Sequence, residues 1–425
     1  MNILLINHYA GSPRHGMEFR PYYFAREWTR AGHSVKIAAS SESHVRSRRP
    51  PDRGILTRED IDGIEYLWLR TRSYQGNGAA RLLNMAQFTA RLYGLAAHLD
   101  GWRPDAVIAS STYPYDIWPA ARLARRHGAR LFYEVHDLWP LTPMLLGGFS
   151  RHHPMIASMQ WAENYAYRHA DAVISMLPCA YAHMERHGLS RDRYVHIPNG
   201  VDPAPAPAAA DHPDVLRAGA ALASLRERCD FVVAYAGAHG HANALDTLLE
   251  AMALLRDRPV GLALIGSGPE REALRAQAAR LKLERVAFVD PVERGCIPAI
   301  LEQADAAYIG LRHSPLFAYG VSPNKLFDYM QAARPVVYAI DSGNDIVNEA
   351  GCGISIKSQD PAALAQGLEA MRDTPAQERA AMGRRGAEYV QVHHAYPVLA
   401  RLFLEVMESA APTGSRPAAD SGGPT

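Results

Sequence analysis

A chain of 425 residues is too long for one ordinary hydrophobic core and suits two α/β domains of about 200 residues each. With 48% hydrophobic and 21% charged residues it is globular in composition, neither disordered nor fibrous. Its 45 basic residues stand against 44 acidic ones, so no excess of positive charge is available for a nucleic-acid partner.

The N-terminus runs directly into strand-like sequence without a basic region, a long apolar region or a cleavage site. No uninterrupted apolar run approaches the roughly 18 residues of a membrane span. The protein is therefore expected in the cytoplasm, with the inner face of the plasma membrane as a place of contact. Cys179, Cys229, Cys296 and Cys352 are widely spaced and form no CxxC pair, which points to reduced structural thiols rather than zinc or disulfides.

Short apolar runs at Ile3–Ile6, Ser34–Ala39, Ala106–Ser110, Leu131–Val135 and Ala172–Ser175 read as buried strands. Helical patterns lie between them at Tyr22–Ala31, Leu82–Leu99 and Tyr115–His127, and repeated βα units imply a parallel sheet covered on both faces. Asp60–Leu69 reads as a hairpin turning on Asp62-Gly63. Pro203–Pro213, with four prolines and five alanines, reads as a linker. The alternation then restarts. Strands are expected at Phe231–Tyr235, Gly261–Ile265, Val286–Phe288, Ala306–Ile309 and Pro335–Tyr338, and helices at Leu245–Leu255, Pro269–Leu281, Ile297–Gln303 and Asn324–Gln331. Glu378–Met407 reads as a long helix interrupted at Pro397, and 411–425 as a disordered tail. The resulting domains are 1–202, a linker 203–213, a second domain 214–395, and a terminal helix 396–410 expected to return to the first domain.

Open α/β sheets bind ligands at the carboxyl ends of their strands, so chemistry is sought on strand-following loops. Tyr235-Ala-Gly237-Ala-His239-Gly240 is one such turn, which either grips an anion through backbone amides or simply turns the chain. Gly266-Ser-Gly268-Pro269 is another, but Arg271 stands where a dinucleotide fingerprint needs its third glycine, which excludes NAD. The segment Gly320-Val-Ser-Pro-Asn324-Lys325-Leu-Phe-Asp328 is more specific. Pro323 opens a helix with free amides, Lys325 adds a point charge for phosphate, and the Asp328 carboxylate can accept both hydroxyls of a ribose. Asp60-Ile-Asp62 has the form of a metal-binding DxD but sits in the hairpin, where it is turn chemistry.

Ile197-Pro-Asn-Gly-Val-Asp202, the Gly237 turn, Gly266-Ser-Gly-Pro-Glu-Arg271 and Lys325-Leu-Phe-Asp-Tyr-Met-Gln-Ala-Ala-Arg-Pro335 follow one another in order and spacing. As a set, covering about residues 1–408, they resemble the retaining glycosyltransferases of family four. Asn7–Pro21 is similar to the WbuB-like branch of bacterial surface-polysaccharide transferases. The resemblance implies an α/β protein of the GT-B fold, two doubly wound Rossmann-like domains facing a central cleft, with no metal or other cofactor. It implies that Gly16 approaches the donor phosphates, that His136 lies near the transferred sugar, that Lys325 is the diphosphate cation and that Asp328 holds the ribose. It further implies a nucleotide-sugar donor, UDP-linked by preference, and a lipid-linked glycan or oligosaccharide acceptor, with Glu18 and Arg20 as acceptor contacts. Two positions depart from the family pattern. Gly320 stands where the motif has a glutamate, and the Gly237 loop lacks the usual arginine and lysine, for which His239, His241 or Arg312 are the available substitutes.

Residues 46–91 hold nine arginines, Arg46, Arg48, Arg49, Arg53, Arg58, Arg70, Arg72, Arg81 and Arg91, against five acids. Together with the amphipathic Leu82–Leu99 and an apolar loop at Leu138–Phe149, they suit either contact with anionic lipid or ordinary packing beneath a solvated charged face. Two rival functions share the fold: a nucleotide-sugar 2-epimerase, which turns over donor without acceptor, and a degenerate transferase that only binds sugar nucleotide or scaffolds an assembly.

Overall fold

The computed structural model describes residues 1–51, 54–74, 76, 78–203 and 210–409; the expected tail at 411–425 and most of the Pro/Ala stretch lie outside them. The chain divides into two compact units, one of residues 1–198 plus the segment from Tyr396, the other Asn199–Ala395.

In the first unit the strands are β1 (Asn2–Ile6), β2 (Ser34–Ser40), β3 (Leu56–Ile61), β4 (Ile64–Leu69), β5 (Ala106–Ala109), β6 (Arg130–Val135), β7 (Ala172–Ser175) and β8 (Tyr194–His196). They lie in the order β3-β4-β2-β1-β5-β6-β7-β8, all parallel except β3, which pairs antiparallel with β4. The hairpin between β3 and β4 turns on Asp62 and Gly63 at φ 56° and 80°, a pair of positive angles that suits Asp-Gly, and the Tyr22 hydroxyl donates to Asp62 Oδ2 at 2.6 Å. The DxD-like residues thus belong to a hairpin turn.

The helices of this unit are α1 (Arg20–Arg30), α2 (Ala79–Leu92), α3 (Ile117–His127), α4 (Leu141–Gly147), α5 (Pro154–His169) and α6 (Tyr181–Arg186). The pattern expected over Leu82–Leu99 breaks after α2 and resumes as a single 3₁₀ turn at Leu95–His98; its apolar face, with Met85, Phe88 and Leu92, is buried in the unit. The stretch 138–149 is not a loop throughout, because its middle forms α4.

The last helix, Tyr396–Ser409, packs on α1. Tyr396 stacks on Tyr23 at 4.6 Å, Phe403 stands edge-on to Trp28 and Phe24, and Trp28 Nε1 donates to the Ala400 carbonyl at 3.0 Å. Burial of Leu399, Phe403 and Met407 contributes about 1.5–3 kcal/mol apiece before entropy is counted. The break ahead of this helix falls at His394-Ala395 rather than at Pro397, which sits in the first turn where a missing N–H has no helical acceptor to leave.

In the second unit β9 (Phe231–Ala236), β10 (Val260–Ile265), β11 (Val286–Val289), β12 (Ala306–Gly310), β13 (Val336–Ala339) and β14 (Gly353–Ser355) form one parallel sheet in the order β11-β10-β9-β12-β13-β14. The helices are α7 (Pro213–Arg226), α8 (Leu245–Leu254), α9 (Arg271–Arg280), α10 (Ile297–Leu301), α11 (Asn324–Gln331), α12 (Ile346–Glu349), α13 (Pro361–Asp373) and α14 (Ala376–His393). Alternation along β9 explains the two layers. Val232 and Ala234 face the core built with α7, α10 and α11, while Phe231, Val233 and Tyr235 face the core built with α8, α9 and α13. The strand order reverses between β9 and β12, and the crevice outside their carboxyl ends is where a doubly wound sheet takes its ligand.

Candidate active site

At that reversal, Lys325 in the first turn of α11 extends across the turn that follows β9. Its ammonium donates to the Tyr235 hydroxyl at 2.9 Å and to Asn243 Oδ1 at 2.5 Å, and lies 4.8 Å from the Tyr235 ring centre. Burial pulls its pKa down to about 8. Gly237 is what lets the side chain pass, since a Cβ there would stand 2.7 Å from Lys325 Cδ. Pro323 precedes α11 without a side-chain cap, so amides of Asn324 and Lys325 head the helix beside this ammonium. The loop before α11 is held by Asn199, which donates to Ser322 O at 2.8 Å, and by Asn344, which accepts from Val321 N at 2.8 Å.

The two glycine turns lock together. A Cβ on Gly266 would come 2.0 Å from Gly237 O, and one on Gly268 would come 2.4 Å from His239 O. His239 N donates to Ser267 O at 2.7 Å and its carbonyl accepts from Glu270 N at 3.0 Å. The His239 ring is fully buried, and burial with the nearby charges of Arg271, Lys325 and Arg275 pushes its pKa to about 4. It is therefore a neutral ring and not a substitute cation for a diphosphate. Gly240 opens the 3₁₀ turn His241–Asn243, where a Cβ would make only an ordinary contact with Asn243. Arg312 is no free cation either: it donates to His241 O at 2.9 Å and pairs with Asp246 at 2.5 Å, bracing that turn.

One turn beyond Lys325, burial raises the Asp328 pKa against the opposing pull of Arg294, whose guanidinium is 3.2 Å away. Each of the two side chains takes its own partner from elsewhere in the unit, Tyr235 and Asn243 for Lys325 and Arg294 for Asp328. Gly320 has φ 93° and ψ 166°, a region that only glycine occupies readily. The backbone itself, and not the side chain alone, departs here from a segment that would present a glutamate.

In the first unit the strand-end cluster is built around Glu134 on β6. Arg20, 2% exposed at the start of α1, donates to Glu134 Oε1 through Nε at 3.0 Å and Nη2 at 2.9 Å, and also to the carbonyls of Ile197 and Pro198. Arg20 is therefore a buried structural cation and not a surface contact for an acceptor. Burial alone would raise the Glu134 pKa, but Arg20, with His136 and Ser110, holds it near 2. His136 Nε2 lies 3.0 Å from Ser110 Oγ and 3.4 Å from Glu134 Oε2. Burial lowers its pKa, but Glu134 and the charge of Glu18 outweigh that and raise it. Glu18 and His136 are thereby brought into one electrostatic neighbourhood.

Gly16 has φ 95°, donates its N–H to Ser12 O at 2.8 Å, and would place a Cβ 2.6 Å from Ser47 Oγ. Its glycine character follows from this internal packing. Of the arginines of 46–91, Arg48, Arg49, Arg70 and Arg72 are exposed, while Arg46, Arg58, Arg81 and Arg91 are bonded within the unit. Arg46 donates to Ala10 O and Ser40 O over the Trp68 ring, Arg58 pairs with Glu65 and Asp100, Arg81 donates to Tyr9 and Arg91 to Ile55 O. Arg53 lies outside the described residues. Among the described residues one His/Asp/Cys group has converging ligand atoms, His212, Asp214 and Cys296, but Asp214 already receives Arg217 and the Glu293 N–H.

Sequence reasoning missed Tyr235 and Asn243 as the partners of Lys325, Arg294 as that of Asp328, and the Arg20–Glu134 pair. Arg20 and Glu134 are 114 residues apart and no local motif joins them.

Residues 15–200 match the family model of the Glycosyl transferase 4-like domain, and residues 230–373 that of Glycosyl transferases group 1. The chain is 21% identical over 332 residues, 75% of its length and 79% of the relative's, to the putative colanic acid biosynthesis glycosyl transferase WcaI of Escherichia coli. Among solved structures it is similar to sucrose-phosphate synthase from Thermosynechococcus elongatus (TM-score 0.70, 17% identity, 96% of this chain and 98% of that one). It is also similar to Anabaena HepE in complex with UDP-glucose (TM-score 0.65, 17% identity, 96% and 100%). The first half of the chain thus carries a Glycosyl transferase 4-like domain and the second a Glycosyl transferases group 1 domain, and the fold is that of the GT-B glycosyltransferases.

Proposed function

We propose that the protein is a metal-independent retaining glycosyltransferase that moves a hexosyl or N-acetylhexosaminyl group from a UDP-sugar to a lipid-linked glycan in cell-surface polysaccharide synthesis. The observation that carries this reading is the Lys325 ammonium, held by Tyr235 and Asn243 beside the uncapped start of α11, with a carboxylate one turn further on. An ammonium and helix-terminal amides suit a diphosphate, and Asp328 suits the ribose diol. The UDP-glucose held by HepE supports the choice of nucleotide, and the role named for WcaI supports the surface-polysaccharide setting.

In this reaction the acceptor hydroxyl oxygen bonds to the anomeric carbon on the face from which the diphosphate leaves. The bond from that carbon to the phosphate oxygen breaks, and the hydroxyl proton passes to the departing phosphate. Lys325 and the α11 amides stabilise the negative charge that grows on the leaving group, which is where electrostatic catalysis has most effect. In the first unit His136, whose pKa Glu134 chiefly raises and Glu18 raises further, is the residue that the family resemblance sets beside the sugar.

The reading is tested by incubation with a panel of UDP- and GDP-sugars, with and without lipid-linked acceptor, following nucleoside diphosphate release. Acceptor-dependent release of UDP, lost in Lys325→Ala, is expected. Donor turnover to an isomeric nucleotide sugar without acceptor would assign the epimerase instead. Binding with no turnover would assign the degenerate protein.

A further inference from the structure

The helical middle of the apolar stretch 138–149 lies at the surface of the first unit. The helix α4, Leu-Thr-Pro-Met-Leu-Leu-Gly, buries none of its residues. Leu145, Leu146 and Phe149 are 46%, 67% and 40% exposed, and Trp161 on α5 is 67% exposed. Large apolar side chains gathered this closely on a surface mark an interaction site. Beside them opens a cavity of about 540 Å³, whose lining includes the apolar Leu141, Met144 and Trp161 and the basic Arg151, His152 and His187. No carboxylate lines it among the described residues. The nearest acid in sequence, Glu163, is turned inward, where Tyr167 and Gln160 donate to it at 2.9 and 2.8 Å and burial raises its pKa to about 8.

We propose that α4, Trp161 and this cavity bind the hydrocarbon chain and phosphate of the membrane lipid that carries the acceptor, with the chain on the apolar ridge and the phosphate at Arg151. The inference rests on the lipid-linked acceptor reading above and gives it a location. Charge decides the occupant. An apolar ridge bordered by a guanidinium and imidazoles, without an opposing acid, is complementary to an anionic amphiphile. In the arginine-rich stretch at 46–91, Arg46, Arg58, Arg81 and Arg91 are bonded within the unit, and the exposed Arg48, Arg49, Arg70 and Arg72 are not among the residues that line this cavity. Chain order adds a second observation: α4 begins five residues after His136, so the ridge follows directly on the loop that leaves the candidate strand end.

The test is co-sedimentation of the full chain with phosphatidylcholine vesicles, with and without phosphatidylglycerol, for the wild type and for Leu146→Glu, Trp161→Glu and Arg151→Ala. All three side chains are exposed, so the folds stay intact, as matched melting curves will show. Wild type is expected on the anionic vesicles. Each glutamate variant is expected to bind about tenfold more weakly, from the loss of one large apolar contact, and Arg151→Ala to lose the preference for anionic over neutral vesicles. Glutamate variants that sediment like wild type, or a wild type that ignores both vesicles, overturn the proposal. A lipid-free dimer abolished by Leu146→Glu assigns the ridge to a second copy and overturns it too. UDP release from donor is read in the same samples: its absence counts against the transferase reading, while its presence with unaltered sedimentation counts only against the lipid seat.

Discussion

Gly237→Ala isolates the Lys325 arm without touching any charge. The φ at Gly237 is not positive, so alanine fits the backbone, and the effect enters only through the added methyl. That Cβ would lie 2.7 Å from Lys325 Cδ and 3.2 Å from the Tyr235 hydroxyl, so the lysine must swing away and give up its bonds to Tyr235 and Asn243. Overpacking costs about 1–3 kcal/mol, and the smaller entropy of an unfolded alanine returns about 0.4–1 kcal/mol, so the net loss of stability is small. A misplaced ammonium loses a hydrogen bond to a charged group, worth about 1.5–3 kcal/mol, which weakens UDP binding by about ten- to a hundredfold. The assay is calorimetric titration of UDP into wild type, Gly237→Ala, Lys325→Ala and the double variant. Because both changes act through one ammonium, the double variant should bind no worse than Lys325→Ala alone. Additive losses, or a Gly237→Ala protein that binds UDP like wild type, would refute the claim that this lysine holds the diphosphate.

Burial holds the Lys325 pKa at about 8, so its ammonium is lost as pH rises through that value, and UDP affinity should fall about tenfold per pH unit above it. Lys325→Arg, which keeps its charge, should give a flat profile in the same titrations from neutral pH upward. Arg20→Ala leaves Glu134 as an uncompensated buried charge and should cost about 3–5 kcal/mol in urea unfolding; a loss below about 1 kcal/mol would mean the pair is not what braces the strand end. Gly320→Glu forces a glycine-only conformation on another residue and should cost about 1–3 kcal/mol, read as a lower melting temperature, without tightening donor binding. A stable Gly320→Glu protein with tighter donor binding would show instead that only the side chain differs from the family pattern.

Strand and helix periodicity carried the alternation of both sheets into the sequence, and α11 spans the very residues, Asn324–Gln331, that its proline start and apolar spacing suggest. Proline and glycine misled where they punctuate short helices. Pro140, Pro143 and Gly147-Gly148 give α4 the look of a loop, and Pro397 that of a break, although proline is tolerated in the first helical turn. The chemistry of single side chains was harder to see. His239 and Arg312 are polar residues on the expected loop, but desolvation neutralises the first and Asp246 engages the second, and both effects arise only when distant segments pack. Tyr235 and Asn243 stand 90 and 82 residues from Lys325, so the pairing that positions the ammonium is invisible to any local motif.

The hydrogen bond from Trp28 to Ala400 spans 372 residues of chain. The first unit is therefore begun before the second is synthesised and finished only after it, while residues 199–395 hold every strand of their own sheet. On the ribosome the second unit can complete its core first, and the apolar face of α1 with Phe24 and Trp28 waits uncovered until Phe403 emerges. A chain truncated before Tyr396 should keep a native second unit and display that aromatic face to chaperones and to other copies, so premature termination near the end harms the half of the molecule that was made first.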